Sequence, residues 1–308
     1  MKKIFIIQYL LFILLSLMAC QQEGQRVFGR FVPERKDDFA WENEYAAFRM
    51  YGPALAPENP SNGVDLWLKV SPELVVDSFY YREHELGLPY HINYGKGLDC
   101  YKVGHTAGCG GLAIVADDRL WIAGPYSRHE ILYQDDRRLT FRLEYDSVPV
   151  AGHLMHEQIT ITAEAGTPLC KAEVVLTCLA SDSLPEILLG GGIYLHDSLD
   201  HLYYNPECHA LCYAEDALSD KAAAEMNRKH NGSTSQGRSY IAVVVPTAPA
   251  MEAPMIYDGT AVQVAPYSLG TTFTYYFGAC WNRWSDGKRQ FPTDEDWQLF
   301  IEQIAAKL

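Results

Sequence analysis

Short runs of β-branched and aromatic residues recur between turn-forming residues through most of the chain, at 47–51, 64–70, 112–116, 119–123, 129–133 and 139–145. They return at 157–163, 171–178, 187–194, 239–245, 261–266 and 271–280. About a dozen such runs without intervening amphipathic helices predict an all-β sandwich rather than alternating βα units. Residues 157–163, EQITITA, alternate polar and apolar as a strand with one solvated face does. Ala116-Asp117-Asp118-Arg119 has the composition of a tight hairpin turn. One helix is predicted at the C-terminus, where Thr293 opens a capping box with Asp296 and Trp297, Phe300, Ile301, Ile304 and Leu308 recur at helical spacing. Residues 215–237 are polar, punctuated by Ala222-Ala223-Ala224 and Asn231-Gly232-Ser233, and read as an exposed loop with a helical turn or two. No internal repeat or low-complexity linker divides the chain.

The N-terminus breaks this pattern. Lys2 and Lys3 precede an apolar run from Ile4 to Met18 interrupted only by Gln8, Tyr9 and Ser16, which marks residues 1–19 as a secretory signal peptide. Leu17-Met18-Ala19-Cys20 resembles a bacterial lipobox, so Cys20 is expected to carry lipid after cleavage and to hold the protein on a membrane. The expected organisation is a leader at 1–19, a lipid-anchored tether at 20–26 and a single β-sandwich catalytic domain at 27–308. The expected location is that of a membrane-anchored bacterial lipoprotein facing the periplasm or the cell surface.

Charge narrows the partners. The formal net charge is −14, and removing residues 1–19 takes away two lysines and no acid, leaving about −16. Nucleic acid is not expected on such a surface. Of eight cysteines, Cys20 is assigned to lipid and seven remain, an odd number that leaves at least one thiol free. Cys208-His209-Ala210-Leu211-Cys212 has a spacing that suits a metal or a disulfide, but lacks the two further ligands a zinc site needs.

The candidate chemistry concentrates in residues 90–111, YHINYGKGLDCYKVGHTAGCGG. His91, Tyr94, Asp99, Tyr101, Lys102 and His105 lie there among glycines, which let the backbone take positive φ or approach a ligand closely. This is the composition of a loop-borne active site.

Four blocks resemble the family known as domain of unknown function 4861. They are Arg30-Phe31-Val32-Pro33-Glu34-Arg35 with Asp37-Asp38-Phe39-Ala40-Trp41-Glu42-Asn43, and Ala47-Phe48-Arg49-Met50-Tyr51-Gly52-Pro53-Ala54-Leu55. The others are Gly97-Leu98-Asp99-Cys100-Tyr101-Lys102-Val103-Gly104 with Gly110-Gly111, and Tyr275-Tyr276-Phe277-Gly278-Ala279-Cys280-Trp281. The family comprises Bacteroidetes lipoproteins and secreted proteins encoded beside polysaccharide-degrading enzymes. The resemblance implies a β-supersandwich like that of galactose mutarotases, with a C-terminal helix, in agreement with the strand pattern. A relative is described as a dehydratase of ulvan oligosaccharides, so the resemblance also implies elimination of water from a terminal uronic acid.

Such an elimination needs a base for the proton α to the carboxylate, cations on the carboxylate and an acid for the leaving oxygen. His91 or Lys102 is the candidate base, Arg49 or Arg35 the carboxylate clamp, and Tyr101 or Tyr51 the acid. Tyr101 and Lys102 would point to opposite faces of a strand, so sharing one pocket requires a bend. Trp41, Trp67, Trp121 and Tyr94 are candidates for stacking on sugar rings, and Glu42, Asn43, Tyr51, Asp99 and His105 join Arg35 as candidate substrate-binding residues. No cofactor is expected. A divalent metal is the alternative means of stabilising the enolate, with His153, His156, His196, His201 and His209 as the available ligands. The rival readings are a mutarotase or glycan-cleaving lyase on the same scaffold, and a non-catalytic glycan-binding lipoprotein.

Overall fold

The computed structural model of the chain describes residues 24–61, 63–178, 186–196, 201–233, 235–250 and 252–308. The predicted leader and Cys20 lie outside the described residues. In chain order the strands begin with β1 (Phe28–Val32), β2 (Asp38–Glu42), β3 (Ala46–Met50), β4 (Asp65–Lys69) and, after helix α1 (Val76–Leu86), β5 (Gly97–Asp99). Then come β6 (Cys109–Ala116), β7 (Arg119–Trp121), β8 (Arg128–Gln134), β9 (Arg138–Val150), β10 (His153–Glu164), β11 (Leu169–Cys178) and β12 (Ile187–Tyr194). β13 (Leu202–Asn205) and β14 (Ala210–Asp216) lead into helix α2 (Lys221–Asn231). The chain closes with β15 (Arg238–Val244), β16 (Met255–Tyr257), β17 (Thr260–Tyr267), β18 (Phe273–Trp281) and helix α3 (Asp294–Ala305).

These strands form three antiparallel sheets, a sandwich-like fold. β1 to β5 follow one another in a first sheet; the second runs β13-β14-β15-β18-β11-β10-β9-β8; the third runs β16-β17-β12-β6-β7. The first and third sheets are linked by a bridge between Val64 and Gly108, and both face the second. From the first sheet, Phe39 stacks on Phe141 at 4.1 Å and Phe48 meets Phe277 edge-on at 5.8 Å. From the third, Gly110 (φ 113°) approaches Phe277 so closely that a Cβ there would lie 2.4 Å from the Phe277 Cβ. Only glycine allows that contact.

The first sheet is buried on both faces, and its sequence shows it. In β2, β3 and β4 the residues facing the second sheet are Phe39, Trp41, Phe48, Met50, Leu66 and Leu68, all in the main core. The alternate positions, Asp38, Glu42, Arg49, Asp65 and Lys69, are equally buried but polar. Their face is covered in part by α1, whose Val76, Phe79 and Tyr80 pack on Ala40, Ala47 and Trp67. Burying charges is tolerated only when they are paired, and a strip of ion pairs across these strands is the result.

The strands predicted from pattern are present, most with ends shifted by one to a few residues. β1, β2, β5, β13, β14, β16 and α1 were not anticipated. The reading of residues 215–237 as an exposed loop is corrected: Glu215 and Asp216 end β14, and residues 221–231 form an 11-residue helix. Its N-cap, Asp220, accepts from the Ala223 amide at 2.8 Å, and Gly232 closes it in the left-handed conformation. The C-terminal capping box is present as read, between Thr293 and Asp296. All seven cysteines from Cys100 onward are free. Among the described residues no group of three His, Cys, Asp or Glu is arranged to hold a metal.

Candidate active site

One end of the first sheet opens into a cavity of about 440 Å³. Its lining comes from the end of β3 (Arg49, Tyr51), the end of β5 and the loop after it (Asp99 to His105), Arg35 after β1, Glu58 and Asn59, His91, and the N-terminus of α2 (Asp220, Ala222, Ala223). Eight of the residues singled out from sequence meet here: Arg35, Arg49, Tyr51, His91, Asp99, Tyr101, Lys102 and His105.

The floor is the ion-pair strip. Arg49 and Asp65 are register partners on β3 and β4, and Arg49 Nη2 lies 2.5 Å from Asp65 Oδ2 and 3.1 Å from Asp99 Oδ2. Arg49 Nη1 donates to the Tyr90 hydroxyl at 3.0 Å, and Arg49 Nε stands 3.9 Å from Asp38 Oδ2. Burial alone would lower the Arg49 pKa, but Asp65, Tyr90 and Asp99 outweigh it and hold the guanidinium firmly charged. Burial raises the carboxyls around it: Asp38 moves up, and Asp65, with Asp99 beside it, is pushed up to about 7. Arg49 is therefore committed to carboxylates of its own chain. It organises Asp99 and is not the substrate clamp that its sequence position suggested.

Arg35 is placed differently. It is about a quarter exposed, its Nε donates to the Tyr90 hydroxyl at 3.3 Å, and its Nη1 makes no hydrogen bond, standing 3.7 Å from Asp38 Oδ2. The guanidinium lies at the cavity lining beside Asp38.

His91 carries the clearest tautomer signal. Its Nδ1 lies 3.1 Å from the Asp99 backbone oxygen and 3.6 Å from Asp99 Oδ2. Both are acceptors, so the proton of the neutral ring sits on Nδ1 and Nε2 keeps its lone pair. The ring is over a third exposed at the cavity. A further bond fixes its own backbone: the Asn227 side chain of α2 donates to the His91 carbonyl at 2.7 Å.

The two tyrosines separate. The Tyr101 hydroxyl donates to the Tyr194 carbonyl at 3.0 Å, so its proton is engaged with backbone and not with the cavity. Tyr51, beneath the Arg49 guanidinium at 5.2 Å, lines the cavity, and burial followed by Asp65 raises its pKa well above that of a free phenol. It keeps its proton. Residues 100–103 lie outside regular strand, and Gly104 with φ 57° turns the chain, so Tyr101 points inward while Lys102 stands exposed at the rim. Lys102 and His105 make no ion pair among the described residues. A lysine acts as a base only when desolvated, and Lys102 is exposed at the rim.

The remaining candidates lie elsewhere. Trp41 is fully buried between Phe48 and Phe141, centroids 5.5 and 5.0 Å away, and is core. Glu42 bonds Lys69 Nζ at 2.7 Å and accepts from the Val75 and Val76 amides, capping α1. Asn43 shapes the turn into β3, its Oδ1 accepting from the Tyr45 and Ala46 amides at 2.8 and 3.1 Å. Tyr94 packs between His230 and Arg82, outside the cavity. Trp121 donates to the Ala116 carbonyl at 3.1 Å and braces the hairpin in the third sheet, while Trp67 stacks under Tyr90 behind the ion pairs. Sequence reasoning missed Asp38, Asp65 and Tyr90. The signal for the first two was available: an apolar triplet flanked by charged residues, as in DFAWE and DLWLK.

Comparison with known proteins agrees on the family. The domain of unknown function (DUF4861) matches residues 17–308. "Uncharacterized protein P7" of Formosa agariphila is 26% identical over 289 residues, covering 91% of this chain and 67% of that protein. Among solved structures, a putative kojibiose phosphorylase from human microbiome aligns with a TM-score of 0.45 at 10% identity, over 92% of this chain and 37% of that one.

Proposed function

The chain belongs to the DUF4861 family, and we propose that it is a carbon–oxygen lyase that eliminates water from the terminal uronic acid of an oligosaccharide. The observation that carries this reading is the His91 ring, whose Nδ1 is tied to Asp99 and whose Nε2 is left basic at a cavity that also holds Arg35, Lys102 and Tyr51. His91 Nε2 takes the proton α to the carboxylate, and the C–H electron pair becomes the new carbon–carbon double bond. Arg35 and Lys102 neutralise the negative charge that builds on the carboxylate as it takes enolate character. Tyr51 gives its proton to the leaving β-oxygen, which departs as water, and the proton on His91 then restores Tyr51 through solvent. Arg49 holds Asp99, and Asp99 holds His91. The dehydratase activity implied by the family resemblance supports the same reading. We further propose that Cys20 bears a lipid anchor and that the domain works at a membrane surface.

The test is ultraviolet absorbance with mass spectrometry on the purified protein and a panel of uronic-acid-ended oligosaccharides. A conjugated-enoate band with loss of one water and no chain shortening supports the dehydratase. The same band with chain scission means a glycan-cleaving lyase. Binding without any mass change overturns the elimination and leaves a glycan-binding protein or a mutarotase, which anomer interconversion followed by NMR separates.

A further inference from the structure

The loop that carries Tyr101, Lys102 and His105 is held twice by one short segment at the end of β12. The Tyr101 hydroxyl donates to the Tyr194 carbonyl, and two residues on, His196 Nε2 lies 2.6 Å from the Lys102 carbonyl oxygen. On the other side of the same ring, Nδ1 lies 3.0 and 3.2 Å from the two carboxylate oxygens of Glu215, at the end of β14. Glu215 is buried and the His196 side chain largely so, with 2% and 9% exposed.

Both neighbours of this ring are acceptors. A neutral imidazole has one N–H and one lone pair, so either tautomer would aim a lone pair at an oxygen, at Glu215 in one case and at Lys102 in the other. With Glu215 ionised, only the imidazolium, donating from both nitrogens, satisfies the arrangement. We propose that His196 is a buried cationic positioning residue which, paired with Glu215, fixes the Lys102 carbonyl and thereby the rim of the active site. The proposal rests on the functional reading above only for its kinetic consequence.

The charged and titratable groups facing His196 are Glu215 from β14, Asp220 from the N-cap of α2, and the phenols of Tyr101 and Tyr194, whose rings meet its own edge-on at 4.6 and 4.7 Å. Burial lowers the His196 pKa, but the Glu215 bond and charge, the Lys102 carbonyl and Asp220 outweigh it and the net shift is upward. The sign follows: the clamp is complete below the pKa of a free histidine and is released as pH rises through the higher folded value. The rim is therefore ordered below the pKa of a free histidine and loosens as pH rises through the higher folded value.

Two measurements decide this without any substrate. Imidazole ¹⁵N spectra of the labelled protein, with His196 assigned by its absence in His196→Gln, should show both ring nitrogens staying protonated to higher pH than in a free histidine, and a ring that turns neutral at the same or lower pH overturns the proposal. Amide exchange at residues 102–106, corrected for intrinsic rate, should quicken about tenfold or more in Glu215→Gln while the β15 and β18 amides stay protected. Unchanged rim exchange also overturns it. On a substrate identified by the panel, Glu215→Gln should lower kcat about 10- to 100-fold with KM within about threefold and move the alkaline limb of the kcat profile to lower pH. An unmoved limb refutes the positioning role. If the panel yields no substrate, the proposed reaction fails while the spectra and exchange still judge His196.

Discussion

Arg49 and Asp65 face each other across β3 and β4, and the 2.5 Å contact between their side chains lies on an almost wholly buried face at the floor of the cavity. One guanidinium there stands against three carboxylates, Asp38, Asp65 and Asp99. Burial raises the Asp38 pKa, and burial with Asp99 alongside pushes that of Asp65 up to about 7. What reaches the cavity from this buried strip is the orientation of Asp99, and through it that of His91.

Removing Arg49 should therefore be costly. Arg49→Met leaves buried acids without their counter-charge and is expected to destabilise the fold by about 3–5 kcal/mol. Arg49→Lys, which keeps charge but not the fork, should fall between. Urea unfolding measures both, and a loss below about 1 kcal/mol for the methionine variant would contradict the account of the strip.

His91→Gln keeps the size and polarity of the ring but not its basic nitrogen. Turnover is expected to fall about 10²- to 10⁴-fold with substrate affinity largely kept, as read from kcat and from binding measured by calorimetry. A binding protein would lose neither.

Tyr51 and Tyr101 make a matched pair of probes. Tyr51→Phe should lower kcat about 100-fold by removing the acid. Tyr101→Phe loses its bond to Tyr194, costs about 1 kcal/mol of stability and leaves most of the turnover. The reverse order of effects would reassign the acid.

Arg35→Ala and Lys102→Ala should each raise KM for a charged uronate about tenfold, the magnitude of one charge-assisted hydrogen bond. The methyl ester of the same sugar should be bound alike by wild type and variants. Equal losses on both substrates would remove these residues from carboxylate recognition.

Glu157 offers a test of stability alone. It is buried on β10 near Met50, Leu112 and Ile114, with Oε2 lacking a partner, and burial pushes its pKa from 4.5 up to about 8. The folded chain holds this proton where the unfolded chain gives it up, so stability is full below pH 4.5 and declines as pH rises through about 8. Glu157→Gln should be nearly neutral at pH 5 and stabilising by about 3 kcal/mol at pH 7. Thermal unfolding at the two pH values checks it, and an equal effect at both would mean that Glu157 is ionised when folded.

Much of the fold was legible in the chain. β9, β10 and β11 are long and alternate, so a period of two stands out. β2 and β14 were harder, because strands buried on both faces do not alternate apolar with exposed polar residues. β5 is three residues long, and α1, with Arg82, Glu83, His84 and Glu85 in its last turns, shows a weak apolar stripe. Among the site residues, chemistry in a glycine-rich segment was enough to find His91, Asp99, Lys102 and His105. Aromatic identity misled at Trp41 and Trp121, since ring stacking serves a core as well as a sugar.

The sequence by itself determined the all-β class, the C-terminal capped helix and the segment where the candidate chemistry is concentrated, because periodicity, capping and glycine content act over a few neighbouring residues. Tertiary structure alone decided the roles. Arg49 was turned into a buried strut by acids 11, 16 and 50 residues away, the Tyr101 proton was engaged by a carbonyl 93 residues on, and His196 was brought under Lys102 from a different sheet. Hydrogen-bond acceptors and burial set which proton is available, and those neighbours exist only once the sheets have packed.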